Sequence, residues 1–441
     1  MTITEYFDNK VRDAYLYTNY RVIPGLDGLK NTQRKCIYVM QKHGNSYDKI
    51  SNLASIIARD TEYLHGNASM ESVLSGLNIN FAGSGNNLPV LKGKGQFGSK
   101  FNPDAIGASR YVYSKKADIF DLIYKKEDIP VYKQVFFEGK QIEPSLLLPT
   151  LIPIYNAIYA IGNGFASNIL PRRVENIISY LESALKGKTP KEALLEPYIN
   201  GYDGNIQKLE NGGYAFIGKY TKLPRNKIEI TEIKPYCSLE AYLKHLDKLV
   251  ENKIIKDYKD ESINDKFKFI VSIYSNFYTI NDTEEKIISV LGLKEVLHEN
   301  IVMFDENNKI ISYKDIVEYA ESFIKWRLDK YSVRKQKMLE KLQSEFDILL
   351  EKQNFISAVL AKECKVIGQS KKEVLDFLAN KGYKHPDSLL AIPLYNLTKE
   401  ELEKLDSKIK NLEEEINTLQ ATETSTLWLN DLQQIKKAIK Q

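Results

Sequence analysis

The sequence has few residues of the types that form disulfides or zinc sites, and it has no long hydrophobic run. Its three cysteines, Cys36, Cys237 and Cys364, are scattered among 441 residues, which excludes a disulfide framework and a cysteine zinc site. No apolar stretch is long enough to span a bilayer. The N-terminal residues also lack the basic-then-apolar pattern of a signal peptide. We therefore expect a protein of a reducing cytoplasm that has no membrane partner.

Nucleotide and metal motifs are lacking as well. The sequence contains no Walker-type motif, and no D-x-D carboxylate cluster suited to Mg²⁺. Residues 93–98 match G-x-G-x-x-G, but a short apolar segment precedes them and residues that disfavour a helix follow. We interpret these glycines as positions where the backbone approaches a ligand closely. The sequence thus predicts neither a nucleotide site nor a metal site in this chain.

What is present is a near-neutral chain with concentrated basic patches. Its length predicts two to four domains with a substantial core, and 43% hydrophobic with 27% charged residues is typical of globular proteins. The net charge is +4, yet residues 92–116 alone carry six basic side chains and one acid, a local charge of +5. This pattern indicates contact with a polyanion along a defined track.

Arg110 and Tyr111 lie side by side within this basic stretch. A phenol becomes an effective nucleophile only when its proton is removed or its phenolate is stabilised. A neighbouring guanidinium can stabilise the phenolate and can also bind a phosphate oxygen through paired N–H donors. Tyr111 is therefore a candidate nucleophile for a phosphodiester. The alternative is an exposed tyrosine in a basic loop, one of 28 tyrosines in the chain.

Further candidate residues lie upstream. Arg21, Lys30, Arg34 and Lys35 line a turn-rich loop and the first turn of a helix, where amides and cations favour phosphate. A solvated charged face explains the same pattern. His65 lies in a break between two short predicted helices, with the spacing of a helix-turn-helix.

Downstream, the sequence predicts three further regions. A proline-punctuated apolar run ending in a glycine-rich turn predicts a strand in which Ile161 is buried. Alternating patterns from about residue 175 to 310 predict strands, with helices near 174–186 and 239–252. Two helical repeats then flank a compact helical unit and predict an antiparallel coiled coil. Their apolar positions are Ala320, Ile324, Leu328, Tyr331, Met338, Leu342, Phe346 and Leu349, and then Leu402, Leu405, Ile409, Leu412, Ile416 and Leu419.

Four short motifs follow one another within about ninety residues, and their order is more specific than any one of them. This order resembles that of the breakage-reunion subunit of type IIA DNA topoisomerases, the gyrase A and topoisomerase IV A family, including the short medium subunit of the bacteriophage enzyme. The motifs are Asp27-Gly28-Leu29-Lys30 with Gln33-Arg34, then Tyr63-Leu64-His65-Gly66, Gly95-Gln96-Phe97-Gly98, and Arg110-Tyr111.

The resemblance implies an α+β fold, with a winged-helix (helix-turn-helix) DNA-binding domain, a mixed α/β tower domain and a long antiparallel coiled coil with a small helical dimer contact. The implied domains are an N-terminal arm at residues 1–30, the winged-helix cleavage domain at 31–165, the tower domain at 166–315, and the coiled coil with its dimer gate at 316–441.

The resemblance also implies roles for individual residues. Tyr111 matches the nucleophile, Arg110 its assisting arginine, and His65 a histidine that supports the transition state. Tyr113, two residues on, is the alternative nucleophile if the match is shifted. Many members have an earlier histidine in an H-P-H-G motif, and Tyr63 or Leu64 stands there in this sequence. Ile161 matches an isoleucine that wedges between base pairs and bends the duplex. The implied DNA-binding residues are Arg21, Lys30, Arg34, Lys35, Lys94, Gln96, Lys100, Ile161, Arg172 and Arg173.

The implied function is the DNA-cleaving subunit of an ATP-dependent type II topoisomerase. Such an enzyme makes a transient double-strand break through a 5′-phosphotyrosine link, passes a second duplex and religates the first. We expect a homodimer through the coiled-coil gate, in the cytoplasm of a bacterium or a phage-infected host, with a partner subunit that binds ATP and holds most of the Mg²⁺. No repeated β-blade pattern follows the coiled coil, so we do not expect negative supercoiling.

Two other functions remain as alternatives. A non-catalytic DNA-binding coiled-coil protein would retain the basic patches and the heptads but would not need Tyr111. A tyrosine recombinase also forms a phosphotyrosine, but its tyrosine normally lies late in the chain.

Overall fold

The computed structural model describes residues 2–363, 370–384 and 386–440. The chain divides into two compact units, the first formed by Met1–Arg327 with Leu429–Gln441 and the second by Leu328–Trp428. Cys364 and part of the predicted compact helical unit lie outside the described residues. Within the described ranges, no helix combines the length and the apolar character needed to cross a membrane.

The N-terminal segment is helical, as its apolar spacing predicts. Thr2 and Glu5 form a capping box, in which each side chain accepts a hydrogen bond from the other residue's backbone N–H. The helix ends ahead of Pro24, whose ring disfavours helical geometry in the preceding residue. The segments are α1 (Ile3–Glu5), a π-helical stretch (Tyr6–Val11) and α2 (Arg12–Val22).

Three helices and a small antiparallel sheet follow, which is the composition expected of a winged-helix domain. The sheet has the strand order β1-β3-β2, so β3 is its centre. The helices pack on one another through a buried apolar face that includes Ile37, Leu53 and Leu74. The elements are α3 (Asn31–Lys42), β1 (Asp48–Lys49), α4 (Ile50–Asp60), α5 (Asn67–Leu77), β2 (Leu91–Lys94) and β3 (Tyr113–Lys116).

Short elements then lead to a hairpin and a helix. Strands β6 and β7 pair antiparallel, with Ile158 opposite Ile169 and Ile161 opposite Ala166. Helix α7 follows directly and confirms the helix predicted near 174–186. The elements are α6 (Phe120–Ile123), β4 (Phe136–Phe137), β5 (Lys140–Gln141), β6 (Ile158–Ile161), β7 (Ala166–Ile169) and α7 (Val174–Leu185).

The region predicted as a tower is mixed, with strands and helices. A four-stranded sheet in the order β10-β11-β13-β12 packs against α8 around Ile230, Leu246 and Phe269. The elements are β8 (Asn205–Lys208), β9 (Tyr214–Ile217), β10 (Lys219–Leu223), β11 (Lys227–Glu232), α8 (Leu239–Glu251), β12 (Ile255–Asp260), β13 (Phe269–Ile273), α9 (Phe277–Ile280), α10 (Glu284–Val290), β14 (Lys294–Leu297), β15 (Ile301–Phe304) and β16 (Ile310–Tyr313).

The second unit is helical and contains the predicted antiparallel pair. Lys335 donates hydrogen bonds to the carbonyl oxygens of Gln420 and Thr422, whereas Gln353, farther along the same helix, contacts Asp406. The two helices therefore run in opposite directions. The helices of this part of the chain are α11 (Ile316–Leu360), α12 (Lys371–Asn380), α13 (Pro386–Leu390), α14 (Lys399–Ala421) and α15 (Thr424–Lys440). The residues of α11 before Leu328 and those of α15 from Leu429 onward belong to the first unit.

The heptad positions of α14 are its buried face. Leu405, Ile409, Leu412, Ile416 and Leu419 are buried, as the 3,4 spacing predicts, whereas Leu402 near the start of the helix is half-buried. The division between the compact units falls within α11, after Arg327. The predicted boundaries at residues 30, 165 and 315 stay predictions.

Candidate active site and nucleic-acid interface

The basic stretch folds into a narrow antiparallel ribbon between β2 and β3, which we define as residues 96–107. Gly107 N–H donates to the Gln96 carbonyl over 2.9 Å, and Gly98 N–H donates to the Ala105 carbonyl over 3.0 Å. Gly95, at the start of the ribbon, has φ +116°, a backbone conformation that residues other than glycine rarely adopt. No described helix starts within this segment, in agreement with the rejection of a dinucleotide fingerprint.

Val112 anchors the chain next to the candidate nucleophile. Its buried side chain lies between two glycines, and a Cβ at Gly95 or Gly107 would approach Val112 Cγ1 to 2.8 or 2.7 Å. Its carbonyl oxygen accepts a hydrogen bond from Ile50 N–H over 3.0 Å. The backbone beside Tyr111 is therefore held by close packing, and sequence reasoning did not identify this role of the two glycines.

Tyr111 itself projects into solvent. Its side chain is 69% exposed, and Arg110 Cζ lies 5.0 Å from the centre of its ring, within the range of a cation–π contact. Tyr113 lies in the central strand β3, is half-buried and pairs with Lys49 and Lys94. The accessibility of the two hydroxyl-bearing side chains therefore favours Tyr111.

His65 lies between α4 and α5, as predicted. Its Nε2 is 3.3 Å from the hydroxyl of Tyr17, and the Tyr63 ring meets the imidazole edge-on at 5.3 Å between ring centres. In the described part of one chain, no hydrogen bond or ring contact joins His65 to Arg110 or Tyr111. The contact with Tyr17 was not predicted, because the two residues are 48 positions apart.

The prediction that Arg34 contacts DNA is wrong. Arg34 is 2% exposed, and its Nε and Nη2 donate to the two carboxylate oxygens of Asp27 over 2.7 and 2.9 Å. Burial opposes the charge, but the Asp27 carboxylate outweighs this effect and raises the pKa of Arg34. Nη2 also donates to the Leu29 carbonyl over 3.0 Å, so the guanidinium is engaged within the protein.

Lys35 and Arg172 require the same correction. Lys35 is buried, and its Nζ donates to Glu143 Oε2 over 2.6 Å and to the Thr61 carbonyl over 2.9 Å. Arg172 is also buried, with Nη1 and Nη2 donating to the two oxygens of Glu299 over 2.5 and 2.6 Å. Removing these cations from their carboxylates to reach DNA would leave buried charges unpaired.

Lys100 is also engaged within the protein. Its side chain is 12% exposed, and Nζ donates to Glu232 Oε2 over 2.7 Å and to the Gly201 carbonyl over 3.2 Å. A contact with phosphate would break this ion pair. We therefore remove Lys100 from the predicted DNA-binding set.

The other predicted cations and the amide are accessible. Lys94, Gln96 and Arg173 are exposed, and Arg21 is half-buried. Lys30 is half-buried beside a cavity of about 320 Å³, and burial lowers its pKa. These five residues stay predictions as DNA contacts.

Ile161 is exposed, which corrects the expectation of a buried strand residue. It lies at the end of β6, whose residues alternate between buried and exposed, and it is 63% exposed. Tyr159 on the same face and Phe165 in the turn are also exposed. Apolar side chains on a projecting hairpin are available to a partner.

The tip of this hairpin is held by an asparagine of α2. Asn19 Nδ2 donates to the Asn163 carbonyl over 3.1 Å, and Asn163 N–H donates to Asn19 Oδ1 over 2.7 Å. A Cβ at Gly162 would lie only 2.4 Å from Asn19 Oδ1, so glycine permits this approach. Sequence reasoning missed Asn19, since its partner is 144 positions away and no local pattern marks it.

Three comparisons with known proteins agree with one another. Residues 21–433 match the family of the DNA gyrase/topoisomerase IV A subunit. The chain belongs to this family. Among its relatives, the DNA topoisomerase medium subunit of Enterobacteria phage T4 is 28% identical over 443 residues, covering 97% of each protein. The mitochondrial DNA topoisomerase 2 of Dictyostelium discoideum is 28% identical over 98% of this chain but only 35% of its own length.

A solved structure of a similar protein has a similar fold. The DNA-binding, cleavage and re-ligation domain of Plasmodium falciparum topoisomerase II has a TM-score of 0.91 and 27% identity, over 99% of this chain and 64% of that one. This chain spans about a third of the length of the first curated relatives that it matches, which are DNA topoisomerase 2 proteins.

Proposed function

We propose that the chain is the DNA-cleaving subunit of an ATP-dependent type II DNA topoisomerase. The observation that carries the proposal is the exposed Tyr111–Arg110 pair, held by the packing of Val112 in a chain of the DNA gyrase/topoisomerase IV family. The enzyme would cleave both strands of a duplex, pass a second duplex through the break and religate the first.

In the proposed reaction, the Tyr111 oxygen attacks a backbone phosphorus in line with the leaving 3′ oxygen. A tyrosine O–P bond forms, the P–O3′ bond breaks, the phenol loses its proton, and the 3′ oxygen leaves as a hydroxyl. Arg110 stabilises the negative charge on the phosphoryl oxygens. His65 is proposed to contribute there too, on the family resemblance. Reversal of the same step religates the strand, because the phosphotyrosine ester conserves the energy of the cleaved P–O3′ bond.

The DNA would run along the accessible basic residues. Lys94 and Gln96 lie in the same basic stretch as the nucleophile, and Arg173 follows the hairpin whose exposed tip carries Ile161. Insertion of Ile161 between base pairs would unstack them and bend the duplex, a cost that is offset by additional contacts. Arg21 and Lys30 complete the proposed contact set.

Mg²⁺ and ATP are proposed to be bound mainly by a partner subunit. Among the described residues, no group of three or more His, Cys, Asp or Glu side chains is placed to hold a metal ion. The described side chains therefore do not form a metal centre of their own, and we derive no step through one. The phage relative, which is itself named as a subunit, supports an assembly of several chains. The proposed location is the cytoplasm of a bacterium or of a phage-infected host cell.

A homodimer is proposed through the helices of the second unit. An enzyme that cuts both strands with one tyrosine per chain needs two copies. The end of α11 packs with α12 and α13 around a small core that includes Phe355, Val374 and Leu378. This helical cluster is therefore a structured surface on which a second copy can pack.

The test is a cleavage assay. The chain is combined with the ATPase subunit from the same source, Mg²⁺ and supercoiled plasmid, and the reaction is stopped with detergent. We expect protein-linked linear DNA with the wild type and with Tyr113→Phe, and none with Tyr111→Phe. DNA binding without any adduct would instead favour the non-catalytic DNA-binding protein.

A further inference from the structure

The tip of the ribbon makes contacts that the proposed reaction does not use. The ribbon turns at residues 99–104, where Ser99 N–H donates to the Asn102 carbonyl over 3.0 Å and Asn102 N–H donates to Ser99 Oγ over 3.1 Å. Asn102 and Asp104 of this turn are exposed. Its side chains Lys100 and Phe101, in contrast, are half-buried and pack on the four-stranded sheet β10-β11-β13-β12.

Lys100 forms the polar half of this contact. Its Nζ lies 2.7 Å from Glu232 Oε2, at the end of β11, and 5.1 Å from the centre of the Phe267 ring. Glu232 is buried and also accepts hydrogen bonds from the backbone N–H groups of Asp203 and Ile233. The carboxylate is thus fixed by the sheet, and Lys100 is the side chain of the ribbon that neutralises it.

Phe101 forms the apolar half. Its ring lies 5.4 Å from the ring of Phe267, which in turn lies 6.1 Å from Phe269 of β13. Its carbonyl oxygen accepts a hydrogen bond from Leu239 N–H, at the start of α8, over 3.0 Å. An ion pair, a ring contact and a backbone hydrogen bond therefore attach the tip of the ribbon to the four-stranded sheet and to the start of α8.

The other end of the ribbon leads to the candidate nucleophile. Gly95 and Gly107 enclose the side chain of Val112, the residue that follows Tyr111. Hydrogen bonds across the ribbon join its two strands between these ends. A paired antiparallel ribbon resists bending and stretching more than a single strand does, so a displacement at the tip is transmitted to its base.

We propose that the ribbon is a mechanical link by which the four-stranded sheet positions Tyr111, with Lys100 and Phe101 as positioning residues. This inference rests on the proposed function, since it assigns what sets the position of the nucleophile. Lys100 acts through Glu232 and not through phosphate. The sheet thereby controls whether the phenol is in line with the phosphorus, and small displacements there change the rate of cleavage.

The matched variants are Lys100→Met and Lys94→Met. Both remove one lysine charge and retain an unbranched side chain, but Lys94 is exposed on β2 and Lys100 is paired with Glu232. Lys100→Arg keeps the charge and serves as the conservative variant, and Phe101→Ala removes the apolar half of the contact.

The first readout is hydrogen exchange on the folded chain without DNA. We expect Lys100→Met and Phe101→Ala to raise exchange in peptides covering residues 95–112 by about tenfold, because the hydrogen bonds across the ribbon open more often. The β15–β16 hairpin is the internal reference, and its exchange should not change. Lys94→Met and Lys100→Arg should resemble the wild type.

The second readout is adduct formation at saturating DNA with the ATPase subunit present. Lys100→Met should lower the adduct yield by about tenfold while changing the DNA dissociation constant less than about twofold. Lys94→Met should do the reverse, weakening DNA binding but retaining the yield at saturation. Recovery of the yield in Lys100→Arg would distinguish positioning from a general loss of folding.

The outcomes separate this inference from the proposed function. A wild-type chain that forms no adduct contradicts the proposed function. Unchanged exchange at residues 95–112 in Lys100→Met overturns the mechanical link, whatever the wild type does to DNA. An affinity loss in Lys100→Met equal to that in Lys94→Met also overturns it, since it would make Lys100 a DNA contact.

Discussion

Arg172 and Glu299 form a two-point ion pair within the first unit, with donor–acceptor distances of 2.5 and 2.6 Å. Arg173, the next residue, is exposed, and its Cζ lies 3.8 Å from the centre of the Tyr198 ring. Two adjacent arginines therefore have different roles. Arg172 is buried and neutralises the half-buried Glu299 carboxylate, and Arg173 presents its charge to solvent.

This difference predicts opposite effects of the same substitution. Arg172→Met should lower the free energy of unfolding by about 3–5 kcal/mol, because it leaves Glu299 charged and unpaired. Arg173→Met should change stability little, but it should reduce the slope of log affinity against log salt by about 1, the contribution of one phosphate contact. Chemical denaturation and DNA titrations at several salt concentrations measure the two effects. An unchanged salt slope in Arg173→Met would remove Arg173 from the interface.

The exposed Ile161 predicts a loss of DNA bending without a loss of folding. Ile161→Ala should change the free energy of unfolding by less than about 0.5 kcal/mol, since the side chain packs on little in the free chain. It should nevertheless decrease the bend angle, measured by energy transfer between dyes at the ends of a duplex.

The control for this variant lies in the same strand. Ile158 faces the interior, and Ile158→Ala should cost about 2–5 kcal/mol of stability through the lost contacts and the cavity. A bend angle that is the same for Ile161→Ala and the wild type would eliminate Ile161 as a wedge.

The buried Tyr155 predicts a loss of stability at alkaline pH. Burial raises the pKa of Tyr155 to about 12, although a hydrogen bond from Tyr124 opposes the shift. The folded state therefore holds this proton more tightly than the unfolded chain, whose tyrosines titrate near pH ~10. Stability from this group is complete below about pH 10 and falls as the pH rises towards 12, by at most about 1.4 kcal/mol per pH unit.

The corresponding measurement is the free energy of unfolding as a function of pH. Tyr155→Phe should have a shallower slope than the wild type between about pH 10 and 12. Ile154→Val, next to it and also buried, should lower the whole curve by about 0.5–1.5 kcal/mol without changing its slope. Equal slopes for Tyr155→Phe and the wild type would show that Tyr155 is not the source of the alkaline loss of stability.

Local patterns predicted much of the fold. The spacing of Leu405, Ile409 and Leu412 indicated the buried face of α14, because a helix repeats its faces within a few residues. The break at His65 was also visible, since Gly66 follows it and α5 begins at Asn67. The order of four motifs indicated the family, which the comparison over residues 21–433 confirms.

Long-range pairing could not be predicted in the same way. A sequence shows that Arg34, Lys35 and Arg172 are cationic, but not that Asp27, Glu143 and Glu299 neutralise them. Two of these three partners lie more than a hundred positions away. The exposure of Ile161 was missed for another reason, because an apolar run does not show which of its residues face outward.

The role of Tyr111 as the nucleophile is tested by identifying the residue that becomes linked to DNA. The adduct formed with a short cleavable duplex is digested with nuclease and protease, and the peptide that carries the nucleotide is sequenced by mass spectrometry. We expect a phosphotyrosine link at Tyr111, in the peptide that begins after Arg110 and contains both Tyr111 and Tyr113. A nucleotide on Tyr113, or on any residue other than Tyr111, would contradict it.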